Sequence, residues 1–121
     1  MRIKNNQAIL NAPFGSILLT FADGDLIKCE LSEAAVEEDL GSFVGHKAVK
    51  ALQSYLKGDI HVLDSWKPSE DGTEFRRRVW KEIAKVRAGD TVTYGQIADS
   101  LDSSPRAVGS ACGDNPLPIF V

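Results

Sequence analysis

The sequence predicts an α+β protein: a small N-terminal antiparallel sheet domain with one helix, and a C-terminal helical, winged-helix-like domain with a helix-turn-helix. Three observations lead to this prediction. Apolar residues alternate with polar ones as far as residue 32, and they recur at helical spacing after residue 73. Between them, Lys67–Gly72 is polar and contains Pro and Gly. The predicted domains are therefore residues 1–66 and 73–121, joined by a linker over 67–72.

Three short segments are expected to form the sheet. Ala8–Leu10 is an apolar run followed by a turn, and apolar residues alternate along Ser16–Ala22. Asp23-Gly24 is typical of a two-residue hairpin turn, after which Leu26–Leu31 returns alongside the preceding strand. These segments predict a three-stranded antiparallel sheet.

The remainder of the N-terminal domain alternates between polar and apolar segments. Glu33–Gly41 is acidic and is expected to be a loop. Val44–Lys57 is expected to be helical, because its apolar residues recur every three or four positions and Gly58 follows it. Ile60–Trp66 is short and apolar, which predicts a further strand.

Two short helices are predicted near the end of the chain, after a longer helix that Thr73 caps and Gly89 ends. The first of the two covers Tyr94–Leu101. Asp102-Ser103-Ser104 forms the turn, and the side chain of Ser104 can cap the second helix, which begins at Pro105. Such a pair is a helix-turn-helix candidate. Gly113-Asp114-Asn115-Pro116 is expected to end the second helix, and the apolar segment Leu117–Val121 to form a strand.

The second helix has an unusual surface composition for a helix that reads a major groove. Its predicted exposed positions, Ala107, Gly109 and Ser110, are small, and Arg106 is its only long cation. A major-groove reader carries several long polar side chains that reach the base edges. This helix is instead suited to lie in a shallow groove and to insert one side chain.

Charge is distributed unevenly along the 121 residues, whose net charge is −3. Residues 1–72 carry 7 Lys/Arg and 11 Asp/Glu, a net charge of −4, whereas residues 73–121 carry 7 and 6, a net charge of +1. A limited phosphate footprint with a shallow salt dependence is therefore expected. The basic side chains of the helix after Thr73 are expected to be solvated, with a secondary role in attracting DNA left open.

The composition also bears on location and on cysteine chemistry. No apolar run approaches the length of a membrane span, so no membrane partner is expected. Cys29 and Cys112 provide no disulfide framework and are expected to be reduced thiols of a cytoplasmic protein, or a nuclear one in a eukaryote. Cys29 is interpreted as a packing residue, and Cys112 is not expected to act as a nucleophile.

Three segments carry a resemblance to a known family: GTEFRRRVWKEIAKVRAGDTVTYG, TYGQIA and SPRAVGSACGDNPLPIFV. They closely resemble the O6-alkylguanine-DNA alkyltransferases, also called methylated-DNA–protein-cysteine methyltransferases. The resemblance implies a single transfer of an alkyl group from O6-alkylguanine, or O4-alkylthymine, to a protein cysteine after nucleotide flipping and without a cofactor. In that family the next motif is Pro-Cys-His-Arg. The chain ends at Val121 before it, so these residues alone are expected to transfer nothing.

The resemblance also assigns roles to individual residues. It implies that Arg106 is the wedge that enters the base stack, and that Tyr94 crowds the target phosphate and helps to protonate the departing guanine. It further implies that Asn115 ties the second helix to the cysteine loop, so that Tyr94 and Asn115 support catalysis. The predicted DNA-binding residues are Thr93, Tyr94, Gln96, Ser104, Arg106, Ala107, Gly109 and Ser110.

Alternatives remain open at this point. A non-enzymatic alkyltransferase-like protein carries the same wedge but has tryptophan in place of the cysteine, and a small winged-helix regulator would prefer one plain duplex sequence. Some family members hold zinc in the first domain. No metal is expected here, because this domain has one cysteine and no ligand pair at metal spacing. The expected partner is double-stranded DNA containing O6-alkylguanine. The protein is expected to act as a monomer, or with a second chain that carries the remaining C-terminal segment.

Overall fold

The computed structural model describes residues 3–64 and 66–121. The chain divides into two compact units, residues 1–62 and 63–121. The division falls a few residues before the boundary predicted at 66, because Leu63 is buried and the Trp66 ring lies 4.8 Å, between centroids, from the ring of Phe120 in the second unit. Residues 67–72, the predicted linker, contain no helix or strand.

The first unit contains the predicted antiparallel sheet. Strands β1 (Gln7–Ala12), β2 (Gly15–Ala22) and β3 (Asp25–Ser32) lie in the order β1-β2-β3. The hairpin between β2 and β3 turns at Asp23 (φ 51°) and Gly24 (φ 81°). Positive φ at both central residues is the type I′ geometry that matches the twist of the two strands, so the Asp-Gly signal was read correctly.

Alternation along β2 determines which side of the sheet is buried. Ile17, Leu19 and Phe21 are buried at every second position. Phe21 also stacks on Phe43, with ring centroids 4.1 Å apart, and contacts the His46 ring at 4.6 Å. These aromatic contacts join the sheet to the segment that enters the helix.

Helix α1 (Lys47–Leu56) begins three residues after the predicted start at Val44. A short 3-10 turn (Gly41–Phe43) precedes it, and Val44 is 64% exposed, so Val44 does not belong to the apolar stripe. His46 caps the helix instead, because its Nδ1 accepts a hydrogen bond from the Ala48 amide at 3.0 Å. An imidazole in this role is absent from the usual list of capping residues, which explains the misplaced start.

The predicted strand over Ile60–Trp66 is wrong. Residues 60–64 form consecutive turns, and Ser65 lies outside the described residues. The Ile60 amide donates to the Gly58 carbonyl at 3.0 Å, and Ile60 is half-exposed. These backbone groups are satisfied by near neighbours in the chain, so the apolar run does not pair with another strand.

The second unit is a cluster of three helices: α2 (Glu74–Ala84), α3 (Tyr94–Leu101) and α4 (Pro105–Gly113). Thr73 caps α2 as predicted, but α2 ends at Ala84, before the predicted stop at Gly89. Each helix contributes buried apolar side chains to one core. The core consists of Val79, Trp80, Ile97, Ala98, Val108 and Ala111, with Phe75, Ile83, Leu101 and Cys112 packed against it.

The chain after α4 does not form the predicted strand over Leu117–Val121. It turns back on itself, so that the Val121 amide donates to the Leu117 carbonyl at 2.9 Å. Leu117 and Phe120 are buried, and Ile119 has a positive φ of 74°. Within the described residues, no helix is both long enough and apolar enough to cross a membrane.

Candidate nucleic-acid interface

A reciprocal pair of hydrogen bonds fixes the start of α3. The Gln96 amide donates to the Thr93 hydroxyl at 3.0 Å, and the Thr93 amide donates to Gln96 Oε1 at 2.8 Å. This capping box satisfies two backbone donors at the helix start. It uses acceptor atoms of both side chains. The Thr93 hydroxyl proton and the Gln96 amide protons remain able to donate to a ligand at this exposed end of the helix.

The turn between α3 and α4 has the predicted form. Asp102 ends α3 in the left-handed conformation, with φ 53° and ψ 52°, which a short polar residue tolerates. Ser104 then caps α4, because its hydroxyl accepts a hydrogen bond from the Ala107 amide at 3.2 Å. The two helices are therefore oriented by local hydrogen bonds, and the helix-turn-helix prediction is confirmed.

The outer side of α4 carries almost no long side chain. Arg106 and Ser110 are exposed, and Ala107 and Gly109 are partly exposed. Arg106 has no hydrogen-bond or ion-pair partner among the residues that the structure describes. The outer surface of the helix therefore consists of small side chains, with one guanidinium, unpaired among the described residues, at its N-terminal end.

The ring of Tyr94 packs on Gly109, a contact that sequence reasoning missed. A Cβ at Gly109 would lie 3.1 Å from Tyr94 Cε2 and 3.3 Å from Cδ2. Tyr94 is 52% exposed, so the ring rests on α4 while its other side faces solvent. The sequence predicts that Gly109 lets the helix backbone come close to another surface. In the structure, the absence of a side chain at Gly109 also leaves the space that the Tyr94 ring occupies.

Asn115 organises the chain after α4 through three hydrogen bonds. Its amide donates to the Cys112 carbonyl at 3.2 Å, at the end of the helix. Its side-chain Oδ1 accepts from the Leu117 amide at 3.1 Å, and its Nδ2 donates to the Val121 carbonyl at 3.0 Å. Asn115 therefore connects the end of α4 to the segment that follows it.

Helix α2 holds the end of α4 at two points, neither of which the sequence predicted. Trp80 Nε1 donates to the Ala111 carbonyl at 2.8 Å, and Arg76 Nη2 lies 2.9 Å from Asp114 Oδ2. Gly72 lies against the Trp80 ring, because a Cβ there would be only 2.7 Å from Cη2. The indole is thus enclosed between the segment before α2 and the end of α4.

The other cations of α2, and those that follow it, are paired, solvated or partly buried. Arg77 is partly buried, and its Nε has no hydrogen-bond partner among the described residues. Lys85 pairs with Glu82 at 2.9 Å, and Arg87 lies 3.7 Å from Asp64. Arg78 and Lys81 are exposed and have no ion-pair partner in the described part of the chain. Their position agrees with the interpretation of a solvated helix surface.

Comparisons with known proteins support one family. A family model described as the DNA binding domain of 6-O-methylguanine DNA methyltransferase matches residues 74–121. The methylated-DNA–protein-cysteine methyltransferase of Metallosphaera sedula is 37% identical over 112 residues, which cover 91% of this chain and 70% of that protein. The protein of the same name from Mycobacterium bovis is 33% identical over 121 residues, 93% of this chain and 72% of that protein. The chain belongs to the methylated-DNA–protein-cysteine methyltransferase family.

Solved structures of this family share the fold. The O6-methylguanine methyltransferase of Mycobacterium tuberculosis is 30% identical, with a TM-score of 0.72 over 96% of this chain and 74% of that one. A structure of OGT from the same organism in complex with DNA is 29% identical, with a TM-score of 0.68 over 93% of this chain and 71% of that one. Both matches extend across the sheet unit as well as the helical unit, and they confirm the predicted α+β class.

The structure brings most of the predicted site residues of this methyltransferase-family chain to α3 and α4. One group lies at the start of α3 or on it, a second at the start of α4 or on it, and Asn115 follows the end of α4. The first group comprises Thr93, Tyr94 and Gln96, and the second comprises Ser104, Arg106, Ala107, Gly109 and Ser110. Their functional roles stay predictions.

Neither cysteine has the environment of a nucleophile. Burial raises the pKa of the Cys29 thiol to about 12, with a further contribution from the charge of Glu30. Burial also raises the pKa of the half-buried Cys112 thiol. A reactive cysteine needs a lowered pKa. Among the described residues, no three His, Cys, Asp or Glu side chains form a group that could hold a metal ion.

Proposed function

We propose that the protein repairs DNA by moving the alkyl group of O6-alkylguanine, and of O4-alkylthymine, to one of its own cysteines in a single turnover after nucleotide flipping. The observation that carries this proposal is the surface of α4. There Arg106, unpaired among the described residues, stands beside small side chains, and the Tyr94 ring packs on Gly109. Family membership supports the same chemistry, because relatives are named for transfer from methylated DNA to a cysteine.

The position of the lesion explains why this surface suits the reaction. The O6 atom of guanine lies inside the base pair, so the nucleotide must leave the stack before a protein group can reach it. A low helix surface can approach the minor groove closely, and an inserted side chain can occupy the vacated space. We assign this insertion to Arg106, because a planar, permanently charged guanidinium can stack on bases and donate to the unpaired partner base.

We assign Tyr94 to the flipped nucleotide rather than to the base stack. Its ring rests on Gly109 beside the helix that carries Arg106, and half of its surface is exposed. A phenol can donate a hydrogen bond to a phosphate or pass a proton to a leaving group. At the adjacent start of α3, the donors of Thr93 and Gln96 suit phosphate contacts that fix the protein on the duplex.

The transfer itself requires a thiolate. In the proposed step, the sulfur attacks the alkyl carbon, the bond from that carbon to O6 breaks, and the departing guanine takes up a proton. The cysteine belongs to the Pro-Cys-His-Arg motif of the family, which the 121 residues do not contain. Because burial raises the thiol pKa of both Cys29 and Cys112, we expect neither of them to replace it.

A labelling experiment tests the proposal. Duplexes that contain O6-methylguanine with a radioactive methyl group are mixed with the chain and, separately, with a protein that carries Pro-Cys-His-Arg after Val121. We expect the chain to bind the alkylated duplex in preference to the plain one without acquiring label, and the longer protein to acquire one methyl group per molecule. Label on the chain, or none on the longer protein, would contradict the proposal.

The two other candidate functions have less support. The non-enzymatic lesion-binding alternative is not favoured, because relatives named as methyltransferases match more than nine-tenths of this chain, the sheet unit included. A winged-helix regulator would prefer one plain duplex sequence over an alkylated one, which the same binding assay measures. We further propose action as a monomer, in the cytoplasm or in a eukaryotic nucleus, because one inserted helix suffices for one lesion.

A further inference from the structure

An ion pair joins the first turn of α2 to the end of α4. Arg76 Nη2 lies 2.9 Å from Asp114 Oδ2, and the two side chains are 43% and 44% exposed. Asp114 is the residue that caps the C-terminal end of α4, and Arg76 follows the Thr73 cap of α2 by three positions. The pair therefore links two helix ends that are far apart in the sequence.

Each charge stands at the end of its own helix where it is unfavourable. The N-terminal end of a helix carries a partial positive charge, which disfavours Arg76 in α2, and the C-terminal end carries a partial negative charge, which disfavours Asp114 in α4. The stability of either helix alone does not explain these residues. Among the described residues, the ion-pair partner of each is the other, so the pair acts between the helices.

A second contact holds the same turn of α4. Trp80, one helical turn after Arg76, is buried, and its Nε1 donates to the Ala111 carbonyl at 2.8 Å. The indole fixes the helix end from the core side, and the ion pair fixes it at the surface. Together they leave the end of α4 little freedom to move relative to α2.

The Asn115 turn begins at this fixed point. Asn115 follows Asp114 directly, and its side chain bonds the Leu117 amide and the Val121 carbonyl. A shift of Asp114 would move Asn115, and through it the backbone of residues 117–121. The position of this segment is thus coupled to the ion pair through covalent and hydrogen-bonded neighbours.

We propose that Arg76 is a positioning residue, which holds Asp114 and thereby sets the place of the Asn115 turn. The inference rests on the proposed function, in which the segment after this turn leads to the nucleophilic cysteine. Arg76 touches neither DNA nor the reacting atoms in this role. It acts through Asp114 and Asn115 on the approach of the thiolate to the flipped nucleotide.

Amide hydrogen exchange of the chain without DNA tests this positioning role. We expect Arg76→Gln and Asp114→Asn each to accelerate exchange at the Leu117 and Val121 amides by about threefold to fivefold, the upper part of the range for an exposed ion pair. Exchange at the Ile97 amide in α3 should not change. Lys85→Gln is the matched control, because it breaks a pair of equal length, 2.9 Å, at the other end of α2.

A charge-reversal cycle separates the pair from the helix-end effects. Arg76→Asp and Asp114→Arg each place two like charges together, and the double variant restores opposite charges. Each reversed charge also interacts favourably with the dipole of its own helix, but these two effects are independent and cancel in the cycle. The coupling free energy between the two substitutions therefore reports the ion pair alone. We expect exchange at Leu117 and Val121 to return in the double variant to at most the wild-type rate. High salt should accelerate exchange in the wild type more than in Arg76→Gln.

Unchanged exchange at both amides in Arg76→Gln would overturn the inference, and so would an equal increase at Ile97, which would make the pair a general stabilising contact. In a protein that carries the cysteine motif, Arg76→Gln should slow single-turnover transfer by about tenfold through misplacement, with the Kd for the alkylated duplex within about twofold. Because the exchange rates are measured without DNA, a failure to bind alkylated DNA would overturn the proposed function and leave this result intact.

Discussion

Helices α2 and α4 differ in how they use charge. Six of the seven cations of residues 73–121 lie on α2 or directly after it, and only Arg106 lies on α4. On α2, Arg76 is held in an ion pair, and Arg78 and Lys81 face solvent, whereas Arg77 is partly buried. Directly after α2, Lys85 pairs with Glu82. On α4, by contrast, the one cation is unpaired among the described residues and stands beside small side chains.

The number of cations on a helix therefore does not identify the helix that enters DNA. A cation that already has a carboxylate partner gains little from a phosphate, whereas a free guanidinium on a low surface can enter the base stack. In this account α2 supports the unit and positions the end of α4, and α4 makes the specific contact.

The largest expected effect belongs to the supporting role of α2. Trp80→Ala removes a buried indole and leaves the Ala111 carbonyl without its donor. We expect the free energy of unfolding of the helical unit to fall by about 3–5 kcal/mol, measured by urea denaturation. Lys81→Ala, on the exposed side of the same helix, is the control and should change it by less than about 0.5 kcal/mol. Similar losses in both variants would remove the distinction between the two faces of α2.

The next effect separates function from stability on α4. Gly109→Ala adds a methyl group where Tyr94 now packs, so the ring must move, although alanine favours the helix by about 1 kcal/mol. We expect thermal stability to be retained and base extrusion to fall by about tenfold. The fluorescence of a base analogue opposite or beside the lesion reports extrusion.

Gly113→Ala is the matched control for that substitution. Gly113 lies on the same helix, and nothing lies within 4 Å of a Cβ placed there. It should therefore leave extrusion unchanged. If both alanine variants lower extrusion to the same extent, the loss of packing between Tyr94 and Gly109 is not the cause of the lower extrusion.

The smallest effect is expected from the solvated cations of α2. The double variant Arg78→Gln, Lys81→Gln should weaken duplex binding by less than about twofold, with the slope of log Kd against log salt changed by less than about 0.9, the contribution of one phosphate contact. A gel-shift series at several salt concentrations measures both quantities. A larger change in slope would show that α2 also contacts phosphate.

Local signals explain which parts of the fold the sequence could predict. The caps at Thr73 and Ser104 and the Asp23-Gly24 turn each depend on residues within a few positions, so their chemistry is visible in the sequence. The expected strands at 60–66 and 117–121 were wrong, because a short apolar run has the same pattern whether it pairs with a strand or folds into a turn.

The contacts that complete the candidate site join residues distant in sequence. Tyr94 meets Gly109 across the helix-turn-helix, and Arg76 meets Asp114 across the whole helical unit. No local pattern marks either pair, because a glycine in a helix and a surface aspartate are individually common. Arg106 was identifiable because it is the only long cation on a helix of small side chains, and family resemblance then assigned it the wedge role. The structure adds that its guanidinium is unpaired among the described residues.

The most direct test of the account is base extrusion by Arg106 variants, measured beside duplex affinity. Arg106→Ala should lower extrusion by about tenfold or more, since unstacking costs a few kcal/mol, while duplex binding weakens by less than about threefold. Arg106→Lys keeps the charge without the planar group, so it should restore binding but not extrusion. Equal losses of extrusion and binding in Arg106→Ala, both recovered by lysine, would make Arg106 a simple phosphate contact and contradict the account.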